Sequence, residues 1–141
     1  MNDGKIHQID TPISLLNNPK TIFVSSFILG NNIIHLKKNG NSYISCLGEI
    51  NCSGFLQNEN IKSMSISPKF ISIKRSEYGN ANVISKEFLG EFLIYKVTIN
   101  GNILRVRTDI NNLLNNGDKC SLFINKNSYY FLYPGAHKVY I

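Results

Sequence analysis

Any chemistry in this chain would have to come from its three cysteines, its three histidines or its nine carboxylates. Cys46, Cys52 and Cys120 are odd in number and form no C-x-x-C pair. Neither a disulfide framework nor a zinc cluster is indicated, and buried free thiols on strands are expected instead. His7, His35 and His137 are scattered, each without a carboxylate or second histidine at ligand spacing. Glu49, Glu59, Glu77, Glu87, Glu91, Asp109 and Asp118 stand mostly near turns, where solvation accounts for them. Gly4-Lys5 is followed by Ile6 and has no upstream glycine, so no phosphate-cradling loop is formed. No G-x-S-x-G, H-E-x-x-H or EF-hand pattern occurs. The residues therefore assign no catalytic, cofactor-binding or metal site.

Binding chemistry is the alternative to catalysis. The formal charge is +6, and Tyr43, Tyr78, Tyr95, Tyr129, Tyr130 and Phe131 are aromatic. A basic OB-like module with such rings could stack single-stranded nucleic acid, although packing in strands and core is the expected role for them. Lys and Arg are spread along the chain apart from Lys37-Lys38 and Lys74-Arg75, which reads as a solvated basic surface. A small-oxyanion site would need a nest of backbone N–H groups, and Asn51–Gly54 is the one stretch that offers it.

The elements that would position these residues are mostly short strands. At 141 residues, with 43% hydrophobic and 17% charged residues, the chain has the length of one domain or two small fused barrels. No apolar run approaches the roughly 18 residues that span a bilayer, and no secretory leader is recognised at Met1; a cytosolic location is expected. Thr11-Pro12 reads as an N-cap and first helical residue, predicting helices over Pro12–Asn17 and Lys20–Leu29. From Gly30 the texture becomes β. Strands are predicted over Asn32–Lys38, Ser42–Leu47, Ile50–Leu56, Met64–Ser67, Phe70–Lys74, Val83–Phe88 and Phe92–Ile99. Ile103–Thr108, Lys119–Ile124 and Tyr129–Tyr133 complete and close the series. Asn100-Gly101 marks the clearest hairpin. Cys46-Leu47-Gly48-Glu49-Ile50 is echoed by Phe88-Leu89-Gly90-Glu91-Phe92, a faint sign of two related halves. The fold expected is mainly β, an OB-like β-barrel behind a short strand-helix-helix segment.

Residues 1–34 carry a specific resemblance. Met1, Gly4, Ile6, Gln8, Thr11, Pro12, Leu15, Pro19, Phe23, Val24, Phe27, Ile28 and Asn32 match, in spacing, the segment that closes the ATPase domain of importer-type ABC transporter ATP-binding subunits. Asp10, Leu16 and Leu29 depart from that pattern, and Gly30 falls one place late. The rest resembles the TOBE region that follows in that family: Ser65-Ile66-Ser67-Pro68-Lys69 stands where an Ile-Arg-Pro-Glu motif is usual, with both charges lost. Asn82-Val83, Phe88-Leu89-Gly90, Tyr95, Val97, Leu104, Val106, Gly117-Asp118 and Leu122 fit its later strands.

The resemblance implies a residual ATPase segment over 1–29 and a TOBE, OB-like regulatory barrel over 30–141. It implies pairing of the barrel as a homodimer, transmembrane permease subunits as partners, and a place at the cytoplasmic face of the plasma membrane as a peripheral component. Nucleic acid is not among the partners it implies. ATP and magnesium would bind the missing ATPase domain, so this chain alone is not expected to be an enzyme or to hold a cofactor. Ferric iron and polyamine are the favoured cargoes. Asp3-Gly4 fits the same picture: it is a hairpin turn whose first arm has only Met1 and Asn2, as expected of a chain separated from its catalytic half. Ile6, Ile9 and the Ile22–Ile28 stripe should then be less buried than their patterning demands.

Overall fold

The computed structural model describes residues 21, 22, 25, 26, 30–40, 42–50, 61–134 and 137–141. Among them are twelve strands and one 3-10 turn, Pro68–Phe70, so the chain is mainly β as its texture predicts. The helix expected over Pro12–Asn17 lies outside the described residues, as does most of the one over Lys20–Leu29. Within the latter, the Ser25 N–H donates to the Thr21 carbonyl at 3.1 Å. Ile22 is 41% exposed; Ile6, Ile9 and the rest of that apolar stripe lie outside the described residues.

The chain divides into two compact units, 1–67 with 129–141 and 68–128. In the first, β1 (Asn32–His35), β5 (Ser63–Ile66), β11 (Tyr129–Tyr133) and β12 (His137–Tyr140) form an antiparallel sheet in the order β1-β5-β11-β12. A second sheet joins β2 (Lys37–Asn39), β3 (Ser42–Ser45) and β4 (Gly48–Ile50). β5 is buried along its whole length and β11 nearly so, the mark of strands covered on both faces. Met64, Ile66, Phe131 and Leu132 fill this core.

Two sequence expectations need correction here. The strand predicted over Asn32–Lys38 is two strands, because its partner changes: the Leu36 N–H still donates to the Lys62 carbonyl at 2.9 Å in continuation of the β1–β5 register, and from Lys37 the chain pairs with β3 instead. The series does not close at Tyr133 either, since β12 follows and pairs with β11 from Tyr129↔Tyr140 to Leu132↔His137. Of the strand expected over Ile50–Leu56, Ile50 ends β4 and the remainder is not described.

The second unit is one antiparallel sheet, β6 (Ile71–Arg75), β10 (Lys119–Ile124), β7 (Ala81–Phe88), β8 (Phe92–Ile99) and β9 (Asn102–Asp109), in the order β6-β10-β7-β8-β9. Alternation along β8 and β9 sends Leu93, Tyr95, Val97, Ile99, Leu104 and Val106 inward, each worth about 1.5–3 kcal/mol of burial for the aliphatic side chains. Asn100 and Gly101 have φ of 49° and 79°, the pair of left-handed conformations that a type I′ hairpin requires. The repeated Leu-Gly-Glu is a shared glycine in two different turns. Gly48 and Gly90 both have positive φ, but Ser45 pairs directly with Gly48, while Leu89 donates to the Phe92 carbonyl in a wider turn. β7 carries an irregularity between Val83 and Ser85 in its pairing with β8, and on its other side Val83 bonds toward β10.

Candidate functional site

A polar hollow lies where the end of β6 meets the start of β10. Its walls are Arg75, Ser76 and Glu77 at the end of β6, and Gly117, Asp118 and Lys119 at the start of β10, around about 330 Å³. Pairing of Cys120 with Arg75 sets the two walls side by side, and the Ser76 N–H donates to the Lys119 carbonyl at 3.0 Å. Gly79 allows the chain to turn close: a Cβ there would stand 2.0 Å from the Cys120 carbonyl oxygen. Gly117 adopts φ of 90°; its N–H donates to the Val83 carbonyl at 2.7 Å, and Val83 returns the bond to Asp118 at 3.0 Å. Asp118 also accepts the Asn115 N–H on its carboxylate at 2.8 Å.

The charges of this hollow balance, two acidic against two basic. Arg75 Nε lies 3.9 Å from the Asp118 carboxylate, and its side chain is largely exposed, a geometry that contributes little to stability. Burial, with Asp118 as the second cause, pushes the Cys120 thiol up to about 11. That thiol is fully buried, which makes it an inert group at neutral pH.

A second polar cluster lies inside the first unit. The Asn31 amide donates to Ser25 Oγ at 3.1 Å and to Ser65 Oγ at 3.3 Å, and the two serine hydroxyls bond to each other. Burial pushes the Tyr133 phenol up, and hydrogen bonds with Ser25 and Ser65 pull it partly back. Every buried side-chain polar atom among the described residues has a partner, so this cluster satisfies polarity within a core rather than offering a vacancy to a ligand.

The sequence nominated no site residue, and its other candidates are dispersed by the fold. Tyr43, Tyr95, Tyr130 and Phe131 are buried, Tyr129 is half-buried, and only Tyr78 of the six aromatics stands in solvent. They cannot form a stacking platform together, which removes the main support for a nucleic-acid surface. Cys120 is a buried thiol on β10 as expected, whereas Cys46 is half-buried in a turn; Cys52 and the Asn51–Gly54 stretch lie outside the described residues. His35 is exposed and His137 half-buried. Among the described residues, no three His, Cys, Asp or Glu side chains gather to hold a metal ion, and no helix is long and apolar enough to cross a membrane.

Comparison with known proteins supplies what the geometry does not. No protein-family model matches the chain. Over 90 residues it is 36% identical to the spermidine/putrescine import ATP-binding protein PotA of Bacillus thuringiensis subsp. konkukian, covering 64% of this chain and 22% of that protein. Over 96 residues it is 35% identical to the protein of the same name in Mycoplasma capricolum subsp. capricolum, covering 64% of this chain and 27% of that one. The chain thus spans about a fifth to a quarter of the length of the curated relatives it matches. Its relatives are ATP-binding subunits of importers, and the likeness extends over 64% of its own length.

Proposed function

We propose that the chain is a regulatory and dimerisation module of the ATP-binding subunit of an ABC importer, with a polyamine as the cargo of the whole transporter. The observation that carries this reading is the 36% identity over 90 residues to a protein named for spermidine and putrescine import. Those names favour polyamine over ferric iron. In this reading residues 1–29 close an ATPase domain and residues 30–141 form the TOBE region. ATP and magnesium bind the catalytic domain and not this chain. Permease subunits and a second copy are the partners, at the cytoplasmic face of the membrane.

An OB-like barrel is the finer fold proposed, and the five-stranded unit supports it. Its four ladders are all antiparallel, so the edge strands β6 and β9 run in the same direction. They also lie near each other, and the Asn112 amide donates to the Ile73 carbonyl on β6 at 3.1 Å. β6 and β9 share no ladder, so the sheet is open, and the approach of its two edges is what supports a partly open barrel.

Regulation in such a module works through population shift. Contacts made by the barrel differ between the open and closed ATPase dimers, and that difference in free energy sets which is populated. A chimera tests it: this chain replaces the matching stretch of the Bacillus thuringiensis relative in cells lacking their own subunit. Spermidine uptake should exceed that of a deletion of the same stretch. A chimera that accumulates in soluble form yet transports no better than the deletion overturns the assignment. Sedimentation of the chain alone tests pairing, with a concentration-dependent dimer expected; a monomer up to roughly 1 mM, the weak end of specific association, removes the dimerisation role.

A further inference from the structure

We draw no further inference here: the strongest candidate, the apolar corner of the five-stranded unit where the β7–β8 turn and the loop after β9 leave Phe88, Leu89, Ile110 and Leu113 exposed, carries none because nothing in the structure shows what covers it.

Discussion

Tyr95 closes one end of the five-stranded unit through a single oxygen. It is fully buried on β8, and its hydroxyl satisfies both the Asn112 carbonyl and the Leu114 N–H. Tyr95→Phe keeps the ring and its packing but leaves the Leu114 N–H without its acceptor. A loss of about 1–3 kcal/mol is expected, read as a lower urea midpoint with unchanged slope. Cys120 supplies a pH dependence of definite sign. Burial first, and Asp118 second, raise its thiol from 9.0 to about 11. Between those two values the unfolded chain has released its proton while the folded chain retains it, so stability falls as pH rises through that window. Tyr133, also raised, adds a fall of its own above its ordinary range. Cys120→Ala isolates the thiol: the difference in urea midpoint between pH 8 and pH 10.5 should shrink in the variant, and an unchanged difference would refute the thiol's part in it.

Between strands, the ladder creates one pairing that works against stability. Lys96 on β8 stands directly opposite Arg105 on β9, and like charges at facing positions repel. Lys96→Glu turns repulsion into attraction and should stabilise the unit by roughly 0.2–1 kcal/mol, an effect that shrinks in molar salt; a salt-independent gain would point to propensity instead. How legible the elements were in the sequence followed from how local their causes are. The β8–β9 hairpin is fixed by Asn100-Gly101, whose left-handed conformations are a two-residue property, and β10 and β11 begin and end where their apolar runs and flanking turn residues predict. β1 and β2 were merged because the break between them is a change of partner, from β5 to β3, which local pattern does not reveal. β12 was missed because four residues after Pro134 carry too little pattern, and its pairing with β11 makes it a strand. The polar hollow was invisible for the same reason: only the β6–β10 pairing sets Arg75 beside the start of β10.

At the scale of the molecule, the two units differ in how the chain builds them. Residues 68–128 form one unit from a continuous stretch, whereas the other needs 129–141 as well as the residues before Pro68. Within that second kind of unit β11 is an interior strand, paired to β5 from Phe131↔Ser65 to Tyr133↔Ser63 and to β12 on its other side. The β5–β11 ladder closes a long loop, a cost that must be met before its contacts reward it. A chain ending at Ser128 loses β11 and β12 together, leaving β1 and β5 as an isolated pair, which is marginal in water. Hydrogen exchange on residues 1–128 should therefore find amide protection retained along β8 and β9 and lost at Met64 and Ile66. Residues 68–128 alone should still unfold in one cooperative urea transition, since every strand partner of β6 to β10 lies within that stretch. Protection persisting at Met64 and Ile66 after truncation would mean that β5 is held by something other than β11, and the division of the chain into these two folding units would be wrong.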